Sequence, residues 1–296
     1  MNEPTPDLTV PPPAATPAPA VAEKPATDWW AETKSFAWLV LAVLAVWSFV
    51  AKPFYIPSES MMPTLIKGDR LVVSKYPYGW SYVSPSPFHI LPFVEGRLFG
   101  RMPRRGDIVI LKPPQEDADY IKRVIALPGD RIEVREGVII LNGIPVKRVQ
   151  ETPAMIPVDA NVPCNSEREA PFLITGKDGK QYCALPRFRE TLPGGATYDT
   201  IDMGYMPGIP DDFPETVIPP KQVFVMGDNR DESADSRVSA YQNGLGGPIP
   251  WENLGGRAEF ITFSYDGSTS YFNPLTWITA LRGGRAGTSL RPEHVQ

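Results

Sequence analysis

A run of apolar residues near the N-terminus restricts the possible folds of this chain more than any other feature. Residues 36–51 read FAWLVLAVLAVWSFVA, with Lys34 and Lys52 at the two ends and Trp29 and Trp30 just before them. A membrane-spanning helix needs about 20 mainly apolar residues, and lysines and aromatic rings are typical of its ends. The pattern predicts a transmembrane anchor over residues 28–53.

Two other interpretations of this run are weaker. A buried core helix could be equally apolar, but it rarely follows a Pro-rich segment and carries aromatic residues at both ends. A cleavable signal peptide needs small residues at the last and third-last positions before the cut, and Phe49 and Val50 break that pattern around Ala51. The nearby lysines are nearly balanced, so charge alone does not settle the orientation.

Length and composition exclude some classes of protein. The 296 residues are enough for one large domain or two smaller ones with a sizeable core. The net charge of −5 gives no electrostatic reason to expect nucleic acid as a partner. Residues 1–27 are rich in Pro and Ala and offer few groups that could pack in a core, which predicts a disordered tail.

Beyond Pro53, short apolar or alternating runs are separated by Gly, Pro and Asn, as is typical of β-strands. Pro128 and Gly129 suit a type II turn, and Asn142-Gly143 suits a type I′ turn. We predict a mainly β protein, with antiparallel sheets formed by residues 54–143 and 221–285 and a C-terminal tail at 286–296. The expected strands are 70–75, 107–112, 120–126, 131–135, 138–141, 223–226 and 257–264.

Residues 144–220 are Pro-rich and poorly periodic, and we predict that they form a smaller β module inserted into the domain, called here the inserted module. One hairpin is expected in it, with strands 172–175 and 180–185. Both cysteines of the chain, Cys164 and Cys183, lie here. A disulfide would stabilise the module by roughly 3 kcal/mol and indicate an oxidising compartment, and two buried thiols are the alternative. Two cysteines, with both histidines distant in the sequence, are too few ligands for a zinc site.

Two further segments are apolar but too short or too interrupted by proline to span a membrane. They are residues 80–102 and residues 273–282. Either can be an ordinary surface segment. In a domain tethered to a bilayer, each could instead rest among the lipid headgroups, the second as a short interfacial helix.

The segment PSESMMPTL at residues 57–65 contains Ser60. A seryl oxygen is a weak nucleophile unless a base removes its proton and donors bind the charge that develops on the substrate. The chain has two histidines, His89 and His294, and both are poorly placed for that task. On its own, Ser60 fits a polar turn or a helix start as well as a catalytic site.

Lys122 is the alternative base. In the expected strand 120–126, side chains alternate between faces, so Lys122 shares a face with Tyr120 and Val124, while Arg123 points the other way. Burial beside such neighbours lowers a lysine pKa towards neutrality. The strand alone favours a lysine that lies along the sheet and pairs with an acid, because surface lysines are far the commoner case.

Four segments that follow the anchor in order resemble the successive sequence boxes of bacterial type I signal peptidases. They read PSESMMPTL at 57–65, GDRLVVSKYPYG at 68–79, RGDIV at 105–109 with DYIKRVIALPGD at 119–130, and MGDNRDESADSR at 226–237. These boxes are very specific as an ordered set. Neither the tail nor the inserted module is covered by them.

The resemblance implies a serine protease site that needs no metal and no cofactor. By position, Ser60 corresponds to the nucleophile and Lys122 to the general base. Ser58 corresponds to a serine that helps to bind the oxyanion, and Ser233 to one that hydrogen-bonds to the lysine. The other implied site residues are Tyr120, beside the base, and the pair Asp235 and Arg237, which support the 227–237 loop.

One residue departs from the family pattern. Glu59 stands where glycine is frequent, and a charge pointing towards the oxyanion would be unfavourable, so we expect this side chain to face solvent.

The resemblance also implies a function. The chain would be a membrane-anchored endopeptidase that removes signal peptides from exported preproteins after small residues (Ala-X-Ala), through an acyl-enzyme. Its domain would lie on the outer side of the cytoplasmic membrane, with signal peptides and the lipid surface as partners. Two alternatives are a related Ser-Lys peptidase with another role and a noncatalytic membrane-tethered β module, in which Ser60 and Lys122 would be replaceable.

Overall fold

A computed structural model describes residues 28–85, 94–206, 210–270 and 272–294. The tail predicted over residues 1–27 therefore lies outside the described residues. By its internal contacts the chain divides into two units, Met1–Leu41 and Ala42–Gln296.

The first element is helix α1, Trp29–Phe49. Asp28 caps it, because its carboxylate accepts the backbone N–H of Trp30 at 3.0 Å. Large apolar side chains along the helix are exposed, and within the described part of the chain α1 alone has the length and composition to cross a membrane. The helix ends four residues before the predicted limit of 53, because Ala51–Tyr55 pairs as a strand and Pro53 has no N–H for a helical bond.

Sixteen strands are present in the described residues. They are β1 Ala51–Tyr55, β2 Asp69–Ser74, β3 Ile108–Leu111, β4 Tyr120–Ala126, β5 Arg131–Arg135, β6 Val138–Leu141, β7 Ile144–Pro145, β8 Lys147–Pro157, β9 Leu173–Thr175, β10 Gln181–Thr191, β11 Ala196–Ile201, β12 Phe213–Val217, β13 Gln222–Met226, β14 Ile249–Pro250, β15 Leu254–Ser264 and β16 Glu293–His294. Each of the seven strands expected from the sequence is present, with limits within three residues of those predicted. The mainly β, antiparallel fold class is confirmed.

A seven-stranded sheet, in the order β1-β2-β15-β3-β4-β13-β14, is the framework of the larger unit. Core side chains cover both of its faces, as the alternation along β3 illustrates. Ile108 and Ile110 belong to one buried cluster, and Val109 and Leu111 belong to another. Because β4 lies inside this sheet rather than at its edge, its side chains are held in a rigid, largely buried setting.

Turn residues act as the sequence predicts. Asp130 N–H donates to Leu127 O at 3.0 Å, with Gly129 at φ +87°, which closes the turn after β4. Asn142 and Gly143 both have positive φ, as a type I′ turn requires. This turn joins β6 to β7, which pairs with it in an antiparallel hairpin.

The inserted module is folded around a five-stranded sheet, in the order β16-β11-β10-β8, with β9 paired to β10. The module supplies four of these strands, and the C-terminal segment supplies β16. The predicted hairpin is β9 and the start of β10. Cys164 and Cys183 form a disulfide, with their Cα atoms 5.7 Å apart. Their buried cluster also contains Met62 and Ile66, so the module packs directly on the segment that follows Ser60.

Two predicted boundaries need correction. The ends of the inserted module belong to a shared sheet of order β12-β5-β6-β7, because β7 and β12 complete the pairing of strands from the main domain. Of the tail predicted at 286–296, the described residues 286–294 are not free: Leu290 is buried, its N–H donates to Glu259 O, and Glu293–His294 pairs with β11 as β16.

The two apolar segments can be compared with expectation only in part. Residues 86–93 lie outside the described residues, whereas Leu98 and Phe99 beyond them are exposed. The second segment contains the predicted short helix, α2, Thr276–Thr279. Leu275 directly precedes α2 and Ile278 lies within it, and these side chains are 71% and 72% exposed. Leu and Ile side chains are usually far less exposed.

Candidate active site

Ser60 and Lys122 meet in the folded chain. Ser60 lies in the turn beyond β1, Lys122 is the third residue of β4, and Lys122 Nζ donates a hydrogen bond to Ser60 Oγ at 2.9 Å. Both residues are buried, with 6% and 4% of their surface exposed. The turn is fixed against another loop, because Asn229 N–H donates to Ser60 O at 3.1 Å. This is the geometry that a nucleophile and its base require.

The surroundings of Lys122 favour the neutral amine. Burial lowers the pKa of Lys122 to about 8, and Arg237 acts in the same direction, whereas Asp235 and Asp228 oppose it. Tyr120 forms part of the setting, with its ring centroid 5.4 Å from Lys122 Nζ. A neutral amine at this position has a lone pair that can accept the seryl proton.

Ser58 lies on the exposed side of the pair. Its Oγ is 3.4 Å from Ser60 Oγ, and it is a more exposed residue than Ser60. A hydroxyl at this place can donate to an oxygen bound next to Ser60, which is the role implied by the family resemblance.

Asp235 and Arg237 form the expected supporting pair. Two hydrogen bonds join them, from Arg237 Nε at 2.9 Å and Nη2 at 2.8 Å, and both residues are almost fully buried. Asp235 also accepts the backbone N–H of Gly227 at 2.9 Å, and Arg237 donates to Arg230 O at 2.8 Å. These bonds connect the two ends and the middle of the 227–237 loop and so fix its shape.

Ser233 does not make the expected hydrogen bond to Lys122. Its Oγ is buried and, among the described residues, has no hydrogen-bond partner. The hydroxyl lies against Gly227 instead, where an added Cβ would be 2.3 Å from Ser233 Oγ and 2.4 Å from Ser60 O. Glycine at 227 is therefore what allows the loop to approach the Ser60 turn so closely.

Glu59 is half-buried rather than facing solvent as predicted. Burial raises its pKa, and the nearby carboxylates of Glu169 and Glu232 act in the same direction, whereas Lys67 opposes them. The prediction considered only the neighbouring oxyanion position, and it could not foresee that Glu169 of the inserted module would lie so close.

Arg123 has a structural role that the sequence only suggested through its opposite orientation. Its guanidinium donates to both carboxylate oxygens of Asp228, at 2.7 and 2.6 Å, and Thr64 Oγ1 donates to the same carboxylate at 2.6 Å. All three residues come from segments that carry the site: β4, the 227–237 loop and the turn after Ser60. The pairing of buried charges therefore fixes the spacing of these segments.

The histidines do not contribute to this arrangement. His294 is exposed in β16, and His89 lies outside the described residues. No group of three or more His, Cys, Asp or Glu side chains within the described ranges could hold a metal ion.

A cleft of about 600 Å³ leads to the pair. One wall is β1 and the segment from Ile56 to Ser58, and the other is the start of β4. Ser60 and Lys122 both line this cleft, so an extended chain lying in it could reach the seryl oxygen. The arrangement is suited to attack by a serine on a carbonyl carbon, with proton transfer to an amine.

Comparisons with known proteins identify the family of this chain. The sequence model of the family described as "Signal peptidase, peptidase S26" matches residues 29–263. Signal peptidase I of Rickettsia typhi is 35% identical over 269 residues, covering 86% of this chain and 91% of the relative. Signal peptidase I of Rickettsia conorii is 36% identical over 239 residues, covering 79% of each.

Among solved structures, a crystal structure of a signal peptidase I from Enterococcus faecalis V583 is 18% identical, with a TM-score of 0.27, and the match covers 53% of this chain and 97% of that one. The family match spans helix α1, all four sequence boxes and most of the main sheet. The chain therefore belongs to the signal peptidase family, peptidase S26.

Proposed function

We propose that this protein is a membrane-anchored endopeptidase that removes signal peptides from exported preproteins, with Ser60 as nucleophile and Lys122 as general base. The observation that carries the proposal is the 2.9 Å contact between Lys122 Nζ and Ser60 Oγ in a buried setting. In the acylation step, Lys122 takes the seryl proton while Ser60 Oγ bonds to the scissile carbonyl carbon. The protonated lysine then gives that proton to the leaving amine, and water hydrolyses the acyl-enzyme.

Ser58 and the loop residues support these steps. The Ser58 hydroxyl, 3.4 Å from Ser60 Oγ, is placed to donate to the oxyanion. Asp235 and Arg237 keep the 227–237 loop against the Ser60 turn. For Ser233, whose buried hydroxyl has no hydrogen-bond partner in the described part of the chain, we propose that side-chain rotation brings this hydroxyl to the Lys122 amine during turnover.

The cleft supports an extended substrate. β1 is an edge strand of the seven-stranded sheet and also lines the cleft, so a peptide could add to it by backbone hydrogen bonds. Ile56, Ile110 and Ile121 contribute apolar side chains to the walls. We propose that these shallow apolar surfaces select small residues of the Ala-X-Ala type, as the family implies.

The location follows from two features. Helix α1 supports a single-pass anchor, and the Cys164–Cys183 disulfide supports an oxidising compartment for the domain. We therefore place the site on the outer side of the cytoplasmic membrane. Exposed apolar side chains at Leu275 and Ile278, together with Leu98 and Phe99, would then contact lipid near the end of the signal peptide.

The decisive experiment is cleavage of a purified preprotein in detergent by the full chain. Ser60→Ala and Lys122→Met should each abolish cleavage while the protein stays folded by circular dichroism. Ser268→Ala and Lys177→Met, which change exposed residues of the same types, serve as matched controls and should retain activity. Wild-type cleavage by either site variant would refute the dyad, whereas absence of cleavage by the wild-type chain itself would favour a noncatalytic module.

A further inference from the structure

A buried carboxylate of the inserted module reaches the loop next to the candidate dyad. Glu190, near the end of β10, accepts two hydrogen bonds from Arg230, at 2.7 Å to Oε1 and 2.5 Å to Oε2. Each of the two residues is only 1% exposed. This is a bidentate, fully desolvated pair, the kind of contact in which the geometry of both partners is closely fixed.

Arg230 transmits this contact to the loop in two ways. Its Nε donates to Gly227 O at 3.2 Å, so the same guanidinium holds the start of the 227–237 loop. Its backbone N–H donates to Ile201 O at 2.9 Å, and Ile201 N–H donates to Asp228 O at 2.9 Å. The inserted module is thus joined to the loop by a short parallel β-bridge as well as by the ion pair.

The loop in turn holds the nucleophile. Asn229 is the loop residue of that β-bridge and lies between Asp228 and Arg230. Its backbone N–H donates to Ser60 O at 3.1 Å, and its side-chain amide donates to Glu59 O at 3.3 Å. A shift of Arg230 would therefore move the peptide groups that orient the Ser60 turn.

Glu190 also reaches the side of the base. Tyr198 OH donates to Glu190 Oε2 at 3.2 Å, and the Arg123 guanidinium carbon lies 4.2 Å from the centroid of the Tyr198 ring. Arg123 directly follows Lys122 in β4 and is itself fixed by Asp228. One carboxylate thus supports the two segments that must place Ser60 and Lys122 within hydrogen-bond distance.

We propose that Glu190 of the inserted module is a positioning residue for the Ser60–Lys122 dyad. This inference rests on the proposed function, and it gives the inserted module a part in catalysis. Glu190 does not line the cleft, so it should act on the chemical step and not on substrate binding. A misplacement of reacting groups by about 1 Å can reduce a rate by about 100-fold, so a small relaxation of the loop has a measurable effect.

The test compares kcat and KM for preprotein cleavage by the full chain in detergent. Glu190→Gln keeps the shape but removes the charge, and we expect kcat to fall by about 10- to 100-fold with KM changed less than about twofold. Glu190→Asp, which retains a carboxylate, should recover part of the lost kcat. Glu215 lies on β12, and Glu215→Gln breaks its exposed pair with Arg131 of β5, which should leave both constants unchanged.

A role in stability alone is separated from positioning by a second variant. Leaving Arg230 charged and unpaired can unfold the protein, so Glu190→Met/Arg230→Met, which removes both charges, is measured in parallel below its thermal transition. We expect the double variant to be folded and slow. The proposal would be overturned if Glu190→Gln or the double variant is folded and has the wild-type kcat. It would also be overturned if neither variant folds, because Glu190 would then contribute to stability only.

The outcome also separates this inference from the proposed function. If the wild-type chain does not cleave the preprotein, or if Ser60→Ala still does, the proposed function fails. If those two results are as expected and Glu190→Gln retains the wild-type kcat, only the positioning role fails.

Discussion

Lys122 should make the folded protein less stable at neutral pH, and its replacement by an apolar residue of similar length should reveal by how much. Burial lowers its pKa from 10.5 to about 8, so the folded state disfavours the proton that the unfolded chain binds. At about 1.36 kcal/mol per pKa unit, this corresponds to about 3 kcal/mol of lost stability below pH 8. Because the side chain is almost fully buried, little of this is screened by solvent.

Lys122→Met should therefore raise the free energy of unfolding at about pH 7. The variant also loses the hydrogen bond to Ser60, worth about 1 kcal/mol, which leaves an expected net gain of about 2 kcal/mol. The sign follows from linkage: between about pH 8 and 10.5 the unfolded wild type binds more protons than the folded one, so wild-type stability rises through this range. The gain should shrink over the same interval, reach zero at about pH 9.5, and become a loss of about 1 kcal/mol, the lost hydrogen bond, at its upper end.

The assay is urea unfolding of the full chain in detergent, followed by tryptophan fluorescence at several pH values. Lys177→Met, at an exposed hairpin position, controls for the general effect of removing a lysine and should change little at any pH. A difference between Lys122→Met and wild type that does not depend on pH, or a variant that is less stable at neutral pH, would refute the reasoning.

Two further predictions concern the base and the disulfide. Because Lys122 must be neutral to accept a proton and its pKa is about 8, kcat/KM for a preprotein should rise roughly tenfold between about pH 7 and 9; a flat profile over this range would contradict its role as base. Replacing Cys164 and Cys183 by serine should lower the free energy of unfolding by roughly 3 kcal/mol in urea titrations. Two free thiols by mass measurement of the unreduced wild-type protein would show that the disulfide is absent.

Much of the fold was predictable because its determinants are local. Alternation along residues 120–126 predicts that Lys122 and Arg123 point to opposite faces, and the structure places one against Ser60 and the other against Asp228. Turn residues such as Gly129 have the backbone angles that their positions require. These features depend on sterics and hydrogen bonds within a few residues, so the pattern of side chains is enough to find them.

Other features depend on which segments, far apart in sequence, pack against each other in the protein core. Glu190 and Arg230 are 40 residues apart and belong to different sheets and loops, and no periodicity or motif marks them as partners. The sequence predicts Glu59 in solvent, but the residue is half-buried, and burial together with the charge of Glu169 in the inserted module raises its pKa. Leu290, in a segment expected to be a tail, is instead buried under β15.

The sequence by itself determined the apolar helix α1, the strands and, through the order of its boxes, the residues of the candidate dyad. Only the tertiary structure decided that Lys122 Nζ lies 2.9 Å from Ser60 Oγ, and that a carboxylate from the inserted module supports the 227–237 loop. It also decided that the Ser233 hydroxyl has no hydrogen-bond partner within the described ranges. The physical reason is that hydrophobic pattern and turn chemistry are read along the chain, whereas the burial of a charge and the choice of its partner depend on packing between segments far apart in sequence.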